Sequence, residues 1–156
     1  MRSNAVFARM SPERAEGFLE ELIKEGPAAA MLVLNAVAEA FRLRPQFLRR
    51  QPRARQAEWM RKALGRTASA GVAEEVLAAY FVDHHKDLLI ELLDMLGLEH
   101  EEGLLAQDAP ACPSKQALKK AVGEFRKGDP PELRKLLLES FAAQSAIDWP
   151  DLEALL

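Results

Sequence analysis

Apolar and polar residues follow a helical period along most of the chain, and the most apolar long stretch, residues 72–96, lies near its middle. Its apolar residues recur every three or four positions on both sides of the polar cluster at 83–87: Val72, Val76, Ala79, Tyr80 and Phe81 before it, and Leu88, Leu89, Leu92, Leu93 and Leu96 after it. The pattern predicts either one helix or two, and a kinked or broken pair is slightly favoured because Asp83 can cap a second helix. We expect the fold to pack around this stretch.

Residues typical of helix starts and stops divide the chain on both sides of this stretch. Ser11 and Ser114 are predicted N-caps. Gly26 and Gly128 are predicted stops, Gly26 because glycine accepts the left-handed conformation at the end of a helix. Amphipathic helices are expected from Ser11 to Gly26, from Pro27 to Pro45, from Arg53 to Leu64 with Trp59 facing inward, from Ser114 to Gly128, from Pro130 onward, and briefly after Asp148. The helix after Pro27 is apolar on most sides, so we expect it to be largely buried. Residues 1–10 are expected to form a loose arm, with docking of Val6, Phe7 and Met10 on the core as the alternative.

Strand signals are nearly absent, so the predicted fold class is all-α, a compact bundle of about six to eight helices. Residues 11–27 and 114–130 share a serine cap, a helix of about four turns and a proline that starts the next helix. Two related helical hairpins around the central helices are therefore one possible arrangement. The same caps recur in unrelated hairpins, and this second explanation is favoured.

Length and composition suggest one domain, or one domain with a helical appendage, in a chain of 156 residues. We expect a main helical domain over 1–98, an acidic linker with a short apolar anchor, Leu104 and Leu105, over 99–113, and a helical hairpin over 114–156 packed on the same core. The single cysteine, Cys112, excludes an internal disulfide and favours the cytoplasm. The N-terminus does not resemble a signal peptide, and residues 27–41 are too short and too polar for a membrane span.

Charge is distributed unevenly along the chain. Residues 42–66, here called the basic stretch, hold nine Arg and Lys residues and one acid, whereas residues 83–108 hold eight acids and one Lys. The arginines suit phosphate because their planar groups donate paired hydrogen bonds. The candidate binding residues are Arg49, Arg50, Arg53, Arg55, Arg61, Lys62 and Arg66. Pairing of these residues with the acidic stretch of the same or another chain is the favoured alternative.

The sequence contains no recognisable catalytic motif: there is no Walker loop, no Gly-x-Ser-x-Gly and no His-Glu-x-x-His. On one continuous helix, His84, Asp87 and Glu91 would share a face and could hold a metal. The Glu-x-x-His pairs of two-metal helical bundles are missing, so a polar helix junction is the favoured explanation. We therefore expect no metal, cofactor or catalytic residue.

Three functions remain open from the sequence. The leading hypothesis is a macromolecular-interaction module, which binds another protein or a second copy of itself. The first alternative is binding of nucleic acid or a phosphate ligand through the basic stretch, and the second is a metal-dependent helical-bundle enzyme at His84, Asp87 and Glu91. An acidic pI near 5.7 counts against dedicated nucleic-acid binding.

Overall fold

A computed structural model describes all residues from Met1 to Leu156 and confirms the all-α class. Ten α-helices follow in chain order: α1 (Ser3–Arg9), α2 (Pro12–Glu25), α3 (Pro27–Phe41), α4 (Pro45–Arg49), α5 (Arg53–Leu64), α6 (Ala70–His84), α7 (Lys86–Met95), α8 (Lys115–Arg126), α9 (Pro131–Ala142) and α10 (Pro150–Glu153). A single 3-10 turn, Thr67–Ser69, precedes α6. Two short strands, β1 (His100–Glu101) and β2 (Leu104–Leu105), pair antiparallel. None of the helices has both the length and the apolar character needed to cross a membrane.

The central apolar stretch forms two helices, as the sequence slightly favoured. The helical conformation is interrupted at His85, whose φ of −135° and ψ of 38° separate α6 from α7. Neither glycine nor proline marks this position. Asp83 lies inside α6, and no side chain caps the start of α7, so the prediction that Asp83 is an N-cap was wrong.

The chain divides into two compact units. The N-terminal unit spans Arg2–His84 and contains α1 to α6; the C-terminal unit spans His85–Leu156, together with Met1, and contains α7 to α10. The folding domains expected from the sequence, with boundaries at 98 and 113, stay a prediction.

Aromatic residues occupy the core of the N-terminal unit. Tyr80 of α6 is fully buried, with its ring centroid 4.2 Å from that of Phe18 and 5.1 Å from that of Phe81. Phe7 of α1 packs edge-on against Phe18 at 5.5 Å. Residues 1–10 are therefore not a loose arm: they form a helix that buries Val6, Phe7 and Met10, because these apolar side chains complete the aromatic core.

α3 is much less buried than its composition predicted. It packs against α2, α5 and α6, and its fully buried residues are Ala29, Val33 and Val37, which lie along a single face. Met31, on another side, is 44% exposed. The expectation of a largely buried helix was wrong, because only one of its apolar faces is covered.

A buried arginine organises the C-terminal unit. Arg134 of α9 donates to both carboxylate oxygens of Glu91 at 2.8 Å, and also to the carbonyl oxygens of Phe125 and Asp129. Its guanidinium lies 4.6 Å from the centroid of the Phe125 ring. A Cβ at Gly128 would overlap the guanidinium of Arg134, so any other residue there would displace this side chain from its present contacts.

The segment expected to be a linker is held differently from the prediction. Leu104, proposed as part of an apolar anchor, is 61% exposed. The buried indole of Trp149 instead donates a hydrogen bond to the carbonyl of Pro110 at 3.0 Å. The β1–β2 hairpin, which the sequence did not reveal, occupies residues 100–105. Its strands are two residues long, too short to show the alternating pattern by which strands are recognised.

The two hairpins that share a sequence pattern are joined differently. Ser11 and Ser114 both accept a hydrogen bond from the first turn of their helix, as predicted. However, Gly26 alone separates α2 from α3, whereas residues 127–130 separate α8 from α9, and α9 begins at Pro131 rather than Pro130. Shared caps therefore do not imply a shared connection.

Replacement of Leu92 by Ala should destabilise the protein. Its side chain is fully buried in α7, so truncation leaves a cavity that costs about 2–5 kcal/mol. Leu104→Ala is the matched control, because this leucine is exposed and should change stability by no more than about 0.5 kcal/mol. Equal losses in urea unfolding would contradict this assignment of the core.

Tyr80 should make the protein less stable at alkaline pH. Burial raises the pKa of Tyr80 above its ordinary value of 10.0; the carboxylate of Glu21, to which the hydroxyl donates, also raises it, and the Arg14 guanidinium opposes these effects. Above about pH 10 the unfolded chain loses this proton while the folded protein keeps it, so stability falls as pH rises. Tyr80→Phe should abolish that part of the loss in urea unfolding.

Tyr80 is the only tyrosine, so the absorbance of tyrosinate reports its ionisation directly. Formation of tyrosinate near pH 10 in the folded protein would contradict the buried, hydrogen-bonded environment of the Tyr80 hydroxyl.

Candidate functional site

An apolar groove lies on the N-terminal unit, between α2, α3, α4 and α5. Its cavity volume is about 380 Å³, within the range of known ligand sites. Leu19 and Ile23 of α2 line one wall, and Pro27, Met31 and Leu34 are among the residues that α3 contributes. The uncovered apolar face of α3 is therefore a wall of a concave surface.

Two large apolar side chains in this groove are accessible to solvent. Ile23 is 40% exposed and Met31 is 44% exposed. Single exposed apolar residues are common on protein surfaces. Two of them inside one groove, among further apolar side chains, form a surface that an apolar partner can cover.

The polar side chains that line the groove are Arg49, Arg53 and Gln56, and no acid lines it. A terminal nitrogen of Arg49 lies 3.6 Å from the sulfur of Met31. Arg53 donates to the side-chain oxygen of Gln56 at 2.8 Å, and Gln56 donates to the carbonyl of Leu48 at 2.6 Å. These two arginines, here called the arginine rim, contact only neutral groups.

The other candidate binding residues lie on different surfaces. Arg61, Lys62 and Arg66 line a second concavity with Glu58, and the amine of Lys62 lies 2.9 Å from the carboxylate of Glu58. The hydrogen bond from Lys62 and the charge of its amine lower the pKa of Glu58. The structure therefore does not gather the basic stretch into one patch.

Arginines of the basic stretch pair with aromatic rings and not with carboxylates. The guanidinium carbon of Arg55 lies 4.9 Å from the ring centroid of Trp59, and that of Arg66 lies 4.8 Å from the ring centroid of Phe41. Lys62, which pairs with Glu58, is the one basic residue of the stretch in a salt bridge. Trp59, expected to face inward, is only partly buried, and Phe47 lies 6.0 Å from it.

The corner between α2 and α3 is held by a histidine. The side chain of His84 is 2% exposed, and its Nδ1 lies 3.2 Å from a carboxylate oxygen of Glu25. Neither ring nitrogen has a hydrogen-bond partner of good geometry. A Cβ at Gly26 would lie 2.8 Å from Nε2, so the imidazole fills the space that any other residue at position 26 would need.

Gly26 thus serves a different purpose from the one predicted. The sequence suggested a glycine stop in the left-handed conformation, but its φ is −132°, a region open to other residues. Glycine is needed because His84 approaches the backbone closely. Sequence reasoning missed this contact because nothing in the spacing of positions 26 and 84 links them.

The candidate metal residues have other partners. The face shared by His84, Asp87 and Glu91 depended on a continuous helix, and α6 ends at His84. Glu91 is bound by Arg134 through both oxygens, and Asp87 is exposed. No group of three or more His, Cys, Asp or Glu residues is arranged to hold a metal ion.

The thiol of Cys112 is exposed. Partial desolvation and the nearby carboxylate of Asp151 raise its pKa, which lowers the fraction of reactive thiolate.

No family model, curated protein or solved structure matches this chain. The class that fold and site define is a small all-α protein with an apolar groove beside two arginines. Its function is argued from that geometry.

Replacement of Gly26 by Ala should destabilise the N-terminal unit. The new methyl group would collide with the imidazole of His84, and overpacking of this kind costs about 1–3 kcal/mol. Gly17→Ala in α2, the helix that precedes Gly26, is the control: a Cβ there meets no atom within 4 Å, so the change should be neutral or stabilising.

The double variant Gly26→Ala/His84→Ala tests the cause. Removal of the imidazole also removes the collision. The double variant should therefore lose less stability in urea unfolding than the two single variants lose together. Additive losses would show that the two residues do not interact.

Proposed function

We propose that this protein is an interaction module that binds an amphipathic helix of a partner protein in the apolar groove. The observation that carries the proposal is the partial exposure of Ile23 and Met31 inside one concave, mostly apolar surface. Burial of such side chains is the main favourable contribution to protein association, at about 25 cal/mol for each Å² of apolar surface.

A helix suits this groove better than an extended peptide does. The groove is lined by residues of helices, whose backbone groups are already bonded within those helices. An extended peptide needs the free edge of a sheet to bond its own backbone, and no strand lines this groove. A helix satisfies its backbone internally and presents only side chains, which is what an apolar groove can bind.

Nucleic-acid binding is the second candidate and has weaker support. The exposed Phe47 and the partly exposed Trp59 form an aromatic pair beside Arg55, and bases stack on such rings. However, the guanidinium of Arg55 already lies over Trp59, and the basic residues are divided among separate surfaces. A nucleic-acid channel usually follows the phosphate backbone with one continuous positive groove.

A charge placed in the groove should weaken helix binding. Met31→Asp should weaken the affinity for a neutral amphipathic helical peptide of about 18 residues, five turns of helix, by about tenfold or more. Loss of a buried apolar side chain costs about 1.5–3 kcal/mol, and 1.4 kcal/mol is tenfold in affinity. Fluorescence anisotropy with a labelled peptide measures the change.

Asn35→Asp is the matched control, because it adds the same charge to the same helix at an exposed position outside the groove. It should bind the peptide as the unmodified protein does. Equal weakening by both substitutions would contradict binding in the groove, and retention of single-stranded DNA at low salt with no peptide binding would favour the second candidate.

A further inference from the structure

We infer that the helix bound by this groove is acidic along the side that meets the arginine rim. The inference rests on the proposed function and names the chemical class of the partner. It draws on a separate observation, the charge and the present contacts of Arg49 and Arg53.

The arginine rim lacks a charged partner. Arg49 contacts a thioether sulfur and Arg53 contacts an amide oxygen, and neither residue forms a salt bridge. A helix laid in the groove would remove water from both guanidinium groups. A desolvated charge is costly unless it gains a hydrogen-bonded partner of opposite sign, so the bound helix should supply acceptors at the rim.

Carboxylates fit the arginine rim better than one phosphate does. Recognition of a phosphate group usually converges several arginines on a single anion. Here Arg49 belongs to α4 and Arg53 to α5, and each is held by a different neutral group. Each guanidinium can pair with one Glu or Asp side chain of the bound helix, since carboxylates accept the paired hydrogen bonds of a guanidinium.

The rest of the groove fixes how the acidic helix lies. Its apolar side chains must cover Ile23 and Met31, so the acidic residues flank the apolar stripe and do not interrupt it. The two arginines and the absence of an acid among the groove residues also favour an acidic partner. Opposite charge speeds the encounter and excludes partners of the wrong sign.

Three peptides with one apolar stripe test this inference. They differ only on the flank, which carries Glu, Gln or Lys. The unmodified protein should bind the Glu peptide about tenfold more tightly than the Gln peptide, and the Lys peptide most weakly. The advantage of the Glu peptide should shrink as salt is raised, because exposed charges are screened.

Arg49→Gln/Arg53→Gln should remove the preference for Glu, so that the Glu and Gln peptides bind this variant with about equal affinity. Arg61→Gln/Arg66→Gln is the matched control: it removes the same charge from the second concavity and should keep the preference. Both double variants should have the melting temperature of the unmodified protein, because these arginines are exposed or half-buried.

The possible failures are distinguishable. Equal binding of all three peptides, still sensitive to Met31→Asp, would overturn the acidic partner and leave the interaction module standing. Absence of binding by every peptide would overturn both. If a long-chain fatty acid binds and no peptide does, the ligand of the groove is a small amphiphile and not a partner helix. If the variant that lacks the arginine rim still prefers the Glu peptide, other residues cause that preference.

Discussion

The close contact between His84 and the backbone of Gly26 is the constraint on which the groove depends. Gly26 alone joins α2 to α3, and both helices contribute walls of the groove. The imidazole occupies the space beside Gly26 that a side chain would take. It therefore sets how closely α6 approaches the α2–α3 corner, and with it the position of Ile23 relative to Met31.

In the C-terminal unit, too, a glycine leaves space for a buried polar side chain, but that side chain makes more hydrogen bonds. Gly128 leaves space for the guanidinium of Arg134, as Gly26 leaves space for His84. The guanidinium is paired with Glu91 and with two backbone carbonyls, which is the condition under which a buried charge is tolerated. The imidazole of His84 has only the nearby carboxylate of Glu25. Its contribution to the fold is therefore packing rather than hydrogen bonding.

Local signals in the sequence were sufficient for most of the helices and for the two serine caps. Ser11 and Ser114 cap their helices as expected, because an N-cap depends on residues within one turn. The exposed face of α3 could not be predicted, since an apolar helix has the same pattern whether a neighbour covers it or leaves it as a groove.

The parts of the site that were missed depend on distant residues. The partner of Glu91 is Arg134, and the neighbour of Gly26 is His84; neither pair shares a local pattern. The division of the basic stretch has a similar origin. α4 and α5 turn Arg49 and Arg53 toward the groove and turn Arg61 toward another surface, so charge counted along the chain did not reveal the arrangement of charge in space.

The arginine rim also bears on self-association. A two-fold dimer places the same patch of both copies in contact. If the groove formed such an interface, Arg49 and Arg53 of both copies would be brought together with no acid from the groove, and like charges at an interface disfavour association. The exposed apolar side chains of the groove could be covered by any apolar surface. Its two cations disfavour contact with the same groove of a second copy. That combination disfavours a dimer formed groove to groove, in agreement with the proposed partner, an acidic helix of another protein.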